Sequence, residues 1–321
     1  MALMAIALFL CTQIMTDQKF KLDALSQPAM PVWIRARLGQ GAQFSATAAT
    51  VEHGNLNTVC VEARCPNRGE CWSRGTATFM LLGPICTRAC GFCSVKTGKP
   101  NWSDADEPRR VADAVDTMGL RYVVLTSVNR DDLANGGADI FAATLRVLRE
   151  RHADIGVEFL TPDFQHKQDQ AVMLIRDALD AVTPHVAGRT RLVWGHNVET
   201  VPRLYRTVRK AARYEVSLSM LRRAAEIPGV EAKSAIMLGL GETRDEVMQV
   251  LHDLRAHNVA RVSLGQYLRP ARDNLAVVEY IHPDEFARYE EEARSLGFSW
   301  VKAGPLVRSS YHAEEEQHHQ A

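Results

Sequence analysis

The sequence predicts an α/β protein: a partial or full parallel (β/α) barrel with N-terminal and C-terminal extensions. Three observations predict it. After residue 76, short β-rich runs alternate with amphipathic helical runs, and such alternation implies a parallel sheet with right-handed crossovers. A group of three cysteines, Cys86, Cys90 and Cys93, follows the first of those runs directly. A barrel gathers its chemistry there, at the C-terminal ends of its strands. A second group, Cys60, Cys65 and Cys71, precedes that run and so falls in an extension.

Residues 1–31 read as a lead-in. The run MALMAIALFLC is apolar over eleven residues, too short to span a bilayer. It also lacks the positive segment of a signal peptide. A start at Met15 is as good an expectation as any role for the first residues. Cys11 reads as a small hydrophobe. Residues 16–31 are polar with two prolines and are expected to be flexible.

Residues 32–75 form the extension with the first cysteine group, and residues 76–306 form the barrel. Its predicted strands are Ala77 to Leu82, Tyr122 to Thr126, Gly156 to Thr161, Arg191 to Trp194, Ser234 to Leu238, Arg261 to Leu264 and Trp300 to Ala303. Amphipathic stretches lie between most of them: Arg109 to Met118, Ala138 to Arg151, Gln170 to Ala181 and Thr243 to His257. The last opens with a Thr243–Glu246 capping-box pattern. Residues 307–321 carry the run RSSY, Arg308 to Tyr311, and then a polar tail expected to be solvated.

Composition describes an ordinary globular chain, with 46% hydrophobic and 24% charged residues and zero formal net charge. There is no bulk electrostatic case for nucleic acid or a membrane surface, so neither is expected as a partner. An acidic partner would have to meet a local basic patch. Arg203, Arg206, Arg209, Lys210 and Arg213, predicted to share one helix, are the candidates.

Six of the seven cysteines lie within 34 residues. A disulfide framework does not suit a long chain with few cysteines and no secretion signal. Structural zinc usually takes paired CxxC knuckles or cysteines with histidines. Here only Cys90 and Cys93 form a CxxC, and no histidine lies in the run CTRACGFC. Three thiolates in one loop can instead hold three irons of a cubane cluster and leave the fourth iron open to a small molecule. Two such groups point to two [4Fe-4S] clusters, each needing a fourth ligand from elsewhere. Free thiols suited to metal point to a reducing compartment, the cytoplasm.

Polar residues at successive strand ends are candidates for a pocket over the open iron. They are Thr126 and Ser127 after the second strand, and His196, Asn197 and Glu199 after the fourth. Gly239, Gly241 and Glu242 follow the fifth, and Gln266 and Arg269 the sixth. For each, helix capping or loop bonding is the plainer alternative.

The spacing CxxxCxxC, with Phe92 before the last cysteine, resembles the radical S-adenosylmethionine superfamily. The preceding CxxxxCxxxxxC and the RSSY run are narrower, and together these features resemble the lipoyl synthase family. The likeness runs from about Val32 to Tyr311 through segments such as GTATFMLLG, LRYVVLTSVNRDDL, HNVETVPRLY and GPLVRSSYHA. It implies S-adenosyl-L-methionine bound at the iron left open by Cys86, Cys90 and Cys93, with Phe92 against its adenine. It implies a serine of RSSY as fourth ligand of the auxiliary cluster at Cys60, Cys65 and Cys71; Ser310 is preferred to Ser309, with no physical argument in the sequence to separate them. The implied reaction inserts two sulfur atoms, drawn from that cluster, at the sixth and eighth carbons of an octanoyl-lysine on a lipoyl carrier domain. Implied partners are the carrier domains of 2-oxoacid dehydrogenases, the glycine cleavage H protein, and a reductant such as ferredoxin or flavodoxin. A methylthiotransferase is the alternative two-cluster reading, but only 14 residues separate Cys71 from Cys86, too few for the separate domain those enzymes use. Three departures from the family pattern fall near His196: a long Pro184–Trp194 stretch, Gly195 in place of asparagine, and KAAR at residues 210–213.

Overall fold

The computed structural model describes residues 27–313 and 315. Cys11 and the other readings on residues 1–26, with most of the terminal tail, lie outside the described residues. The first described helices are α1 (Gly41–His53), α2 (Val59–Glu62) and α3 (Arg68–Ser73), all before strand β1 (Thr78–Leu81). Two short strands follow, β2 (Ile85–Cys86) and β3 (Lys96–Thr97). Then come α4 (Glu107–Met118), β4 (Tyr122–Ser127), α5 (Ala138–Arg151), β5 (Gly156–Leu160), α6 (Gln168–Val182) and β6 (Leu192–Gly195). A 3-10 turn at Pro202–Leu204 runs into α7 (Tyr205–Val208), followed by α8 (Tyr214–Ala225), β7 (Val230–Leu238), α9 (Arg244–Ala256), β8 (Arg261–Gln266), α10 (Pro283–Ser295) and β9 (Trp300–Gly304).

Seven strands form one sheet in the order β1-β4-β5-β6-β7-β8-β9, and every pair is parallel. Spatial order follows chain order, so each helical crossover advances the sheet by one strand, as in a barrel wall. β1 and β9 are its two edges, and among the described residues no ladder joins them. The barrel is therefore the partial form of the expectation.

All seven predicted strands are present, and their buried, β-branched centres explain why. β7 starts earlier than expected, at Val230. Its first half reads as polar because of Glu231 and Lys233. Yet Lys233 is 1% exposed, with its ammonium 2.9 Å from Glu158 of β5 and 4.5 Å from the Trp300 ring centroid. Burying an ion pair inside a barrel wall breaks the hydrophobic pattern that marks a strand. The capping box at α9 is complete: the Thr243 hydroxyl accepts from the Glu246 amide at 3.3 Å, and the Glu246 carboxylate accepts from the Thr243 amide at 2.8 Å.

The extensions close the open edge. The Met80 amide of β1 donates to the Asn57 carbonyl at 2.8 Å, and Thr58 pairs antiparallel with Phe79. Further along, the Asn67 side-chain amide donates to the Leu306 carbonyl just past β9 at 2.7 Å. The Tyr311 hydroxyl donates to Glu70 of α3 at 3.1 Å, and His312 pairs with the same carboxylate at 3.0 Å. Backbone edges left bare by the sheet are thus covered.

Two expectations need correction. The long 184–191 stretch enters β6 at its N-terminal end, whereas His196 leaves the C-terminal end, so it does not border the predicted pocket. Gly195 fits because a Cβ there would lie 2.8 Å from the Phe159 carbonyl oxygen. The five basic residues at 203–213 do not share a helix: α7 ends at Val208. Arg203 is tied to Glu246 at 2.7 Å, and Arg209 turns inward to donate to the Asn197 carbonyl at 2.9 Å and the Ser217 hydroxyl at 3.1 Å. Arg203, Arg206, Lys210 and Arg213 are exposed, but Arg203 is already paired with a carboxylate, which leaves Arg206, Lys210 and Arg213 as the candidates. No described helix is long and apolar enough to cross a membrane.

Candidate cluster-binding site

The cysteine loop begins where β1 ends. Leu82 and Gly83 both take positive φ, 68° and 80°, and turn the chain into β2 and the buried Cys86. The loop is then pinned from two sides. The Gly91 amide donates to the Val208 carbonyl at 2.9 Å, and the Leu275 amide donates to the Gly91 carbonyl at 3.0 Å. The Asn274 side chain donates to the Cys93 carbonyl at 2.8 Å. A Cβ on Gly91 would press on Leu275 and the Thr207 carbonyl at 3.0 Å, so glycine is what this approach admits.

Arg88, between Cys86 and Cys90, anchors the loop to two strand ends. Its guanidinium contacts Asp131, after β4, at 2.6 Å and Asp163, after β5, at 2.8 Å. Burial of Asp163 opposes its ionisation, but the Arg88 hydrogen bond and charge win and hold its carboxyl below the usual range. The Arg88 hydrogen bond likewise lowers Asp131. Burial pushes the Cys90 thiol up to about 11 and the Cys93 thiol up to about 12. These thiols are neutral at ordinary pH until a metal displaces their protons.

The other three cysteines meet the chain's far end. Cys60, Cys65 and Cys71 line one cavity together with Arg308, Ser310 and Tyr311. Ser309 does not line it; its hydroxyl accepts from the Asn197 side chain at 3.4 Å. Three thiols and a hydroxyl in one cavity suit a cubane cluster. Among the described residues no three His, Cys, Asp or Glu side chains are grouped to hold a metal ion. Cubane thiolates each bind a different iron and so stand farther apart than the donors to a single zinc ion.

Arg308 lines the cavity of Cys60, Cys65 and Cys71 and also feels the charge of Glu199. Burial lowers its pKa, while Cys65 and Glu199 favour its charge. Glu199 holds φ at 66°, a left-handed backbone that non-glycine residues adopt at a cost. Burial raises its carboxyl, opposed by Arg209, Asn197 and Arg308.

The remaining predicted residues divide by how their polar atoms are used. Ser127 has a buried hydroxyl, and Asn197 a buried side-chain oxygen, with no partner in the protein. Those are the atoms a bound ligand would satisfy. Thr126 donates to the Leu160 carbonyl at 2.8 Å. Phe92 packs against the apolar core of the β7–β9 half. Gly239 and Gly241 both take positive φ, 96° and 100°, and Glu242 accepts from the Gly239 and Leu240 amides at 2.5 and 2.9 Å. That carboxylate shapes its own turn.

His196 and Gln266 are committed elsewhere. The His196 ring bonds the Thr161 carbonyl and the Ser217 hydroxyl, both at 2.9 Å, and burial lowers its pKa to about 4. The Gln266 amide donates to the carbonyls of Leu238, Tyr267 and Glu279 and accepts from the Ile281 amide. Arg269 donates to the Ala271 carbonyl at 3.1 Å within its own loop. Sequence reasoning missed Arg88, Asp131, Asp163 and Arg209 as parts of the site. The only signal was the charged run NRDDL after a buried strand.

Comparison with known proteins bears on the family and the fold. The family model of the Radical SAM superfamily matches residues 80–254. The chain is 50% identical over 287 residues to the lipoyl synthase of Rubrobacter xylanophilus, covering 89% of this chain and 86% of that protein. It is 48% identical to the lipoyl synthase of Koribacter versatilis, covering 89% and 90%. Among solved structures, methylornithine synthase aligns with a TM-score of 0.50 at 11% identity over 81% of this chain and 77% of that one. Streptococcus suis SuiB bound to precursor peptide SuiA aligns with a TM-score of 0.50 at 12% identity, over 97% and 65%. At that identity the two structures speak to the fold alone.

Proposed function

This chain belongs to the lipoyl synthase family of the radical S-adenosylmethionine superfamily, and on that premise we propose how its residues divide the work. The activity is sulfur insertion at the sixth and eighth carbons of a protein-bound octanoyl-lysine. The methylthiotransferase alternative gives way to the family match.

The donor sets fit two clusters. Cys86, Cys90 and Cys93 would hold one, with an open iron for S-adenosyl-L-methionine. Cys60, Cys65, Cys71 and Ser310 would hold the auxiliary one. When bound, the first supplies the electron that cleaves the sulfonium and the second supplies sulfur. The chain's own residues position and seal. Arg88 fixes the cysteine loop against two strand ends. Ser127 and Asn197 offer buried atoms to the polar part of the cofactor, Glu199 accepts from the Asn197 side chain, and Phe92 offers an apolar face. Gly239, Gly241 and Glu242 form a rigid turn at the rim. A serine oxygen is a weak ligand for iron, which suits an iron that must be released.

The observation that carries this reading is the meeting of three thiols and the Ser310 hydroxyl in one cavity, from opposite ends of the described chain. The compartment is the cytoplasm. The substrate is an acidic carrier domain, of a 2-oxoacid dehydrogenase or the glycine cleavage system, and the reductant is of the ferredoxin or flavodoxin kind. Anaerobic reconstitution tests the assignment. Wild type should bind about eight irons, the content of two cubanes, and make lipoyl product from an octanoylated carrier. Replacing Cys86, Cys90 and Cys93 by alanine should abolish 5′-deoxyadenosine formation. Replacing Cys60, Cys65 and Cys71 should preserve it and abolish product; product from the latter variant would refute the donor role.

A further inference from the structure

One buried donor in the N-terminal extension is left without a formed hydrogen bond. Trp72 is 5% exposed, and its indole N–H makes no hydrogen bond in the protein. The ring is held in place. Phe44 packs on it with centroids 5.6 Å apart, the Arg68 guanidinium lies 5.7 Å from its centroid, and its carbonyl accepts from the Thr47 hydroxyl at 3.1 Å. Trp72 shares one buried cluster with Cys60, Val51 and Ala77, and Cys60 lines the cavity assigned to the auxiliary cluster.

An unpaired buried N–H calls for a missing partner. A neutral thiol is a poor acceptor, whereas a thiolate on iron is a good one. The Thr78 amide and the Trp72 indole both lie beside the Cys60 sulfur, although the indole N–H does not reach hydrogen-bonding geometry. Neighbouring positions on α3 thus face different ways: Cys71 lines the cavity, and Trp72 fills the core behind Cys60.

We infer that in the loaded protein Trp72 donates its indole N–H to the Cys60 sulfur and so acts as a positioning residue that raises the reduction potential of the auxiliary cluster. The inference rests on Cys60 being a ligand of that cluster. Hydrogen bonds to ligand sulfur withdraw charge and favour the reduced state. The same bond fixes the thiolate's direction while the fourth iron is held only by a serine oxygen.

The test uses holoprotein carrying both clusters, with tryptophan labelled with nitrogen-15 in the indole. After chemical reduction, pulsed electron paramagnetic resonance reads the nitrogen nuclei near each cluster. Adding S-adenosyl-L-methionine identifies the other cluster, whose signal alone it perturbs. The expected result is an indole nitrogen coupling on the auxiliary signal, lost in Trp72→Phe, whose auxiliary midpoint potential shifts lower with iron and sulfide unchanged. No coupling in labelled wild type, or the same coupling in Trp72→Phe, would overturn the inference. If Trp72→Phe loads poorly, the wild-type coupling decides alone. Wild type with iron and sulfide for one cluster only would overturn the ligand assignment itself, separately from the indole contact.

Discussion

Ser309 and Ser310 are adjacent and chemically alike, yet the chain gives them different surroundings. Ser310 lines the cavity with three cysteines, and Ser309 bonds Asn197. Ser310→Ala should therefore lower lipoyl product roughly tenfold or more, in line with losing a contact that tunes a metal site, while 5′-deoxyadenosine formation persists. Ser309→Ala should keep its auxiliary iron. Equal product loss in the two variants, measured by mass spectrometry of the carrier, would contradict the distinction. Resemblance offered a serine of RSSY, but no physical reason in the sequence separated Ser310 from Ser309. Which of two neighbouring hydroxyls enters a cavity depends on backbone direction in a loop that has no periodic pattern. His196 and Gln266 teach the reverse. As polar residues at strand ends they looked like pocket residues, and their hydrogen bonds turned out to be fully used within the fold.

The cysteine loop and its arginine form one structural unit. Arg88 and Asp163 are 5% and 0% exposed at their side chains. Arg88→Met would leave Asp163 buried without its partner, at a cost of about 3–5 kcal/mol. Chemical denaturation of the cluster-free protein should show it. Asp163 and Asp131 are held below the usual carboxylate range by Arg88. Their contribution is therefore fully present above the unfolded aspartate pKa and is lost as pH falls through the lowered folded values. Arg88→Met should flatten that acid limb of the stability profile, and a limb as steep as in wild type would contradict the assignment. At α9, Thr243→Ala removes the cap seen from both sides and should cost about 1 kcal/mol. That cap was legible in sequence because a capping box is local, a threonine and a glutamate three residues apart. The early start of β7 was not legible, because Lys233 finds Glu158 only across two strands.

Across the whole molecule, the N-terminal extension and the C-terminal tail meet over the free edges of the sheet. Ending the chain after Leu306 should remove Arg308, Ser310 and Tyr311 together. The variant should lose auxiliary-cluster iron and gain amide exchange at β1 and α3, while the β5–β7 centre keeps its protection. Unchanged exchange at α3 would show that the tail does not brace the extension. The exposed basic residues Arg206, Lys210 and Arg213 are the face we propose for an acidic carrier. Charge reversal at Arg206 and Lys210 should weaken carrier binding at low salt and leave a short octanoyl-lysine peptide reacting as before. Arg209 belongs outside that test because it is half-buried and its guanidinium is bonded to the Asn197 carbonyl and the Ser217 hydroxyl.

The sequence by itself determined the strand–helix alternation, the capping of α9, the placing of three cysteines after β1, and through two spacings and RSSY the family. Each of these is a short-range pattern, read within one or two turns or along one strand. Only the tertiary structure decided that the barrel stays open, that the extensions cover its edges, that Arg88 clamps the loop to two strand ends, and that Ser310 and Arg308 come to the cysteines of the extension. Those contacts join residues far apart in the chain. Their partners are chosen by which buried polar groups can satisfy one another once the sheet has formed, and no local pattern records that choice.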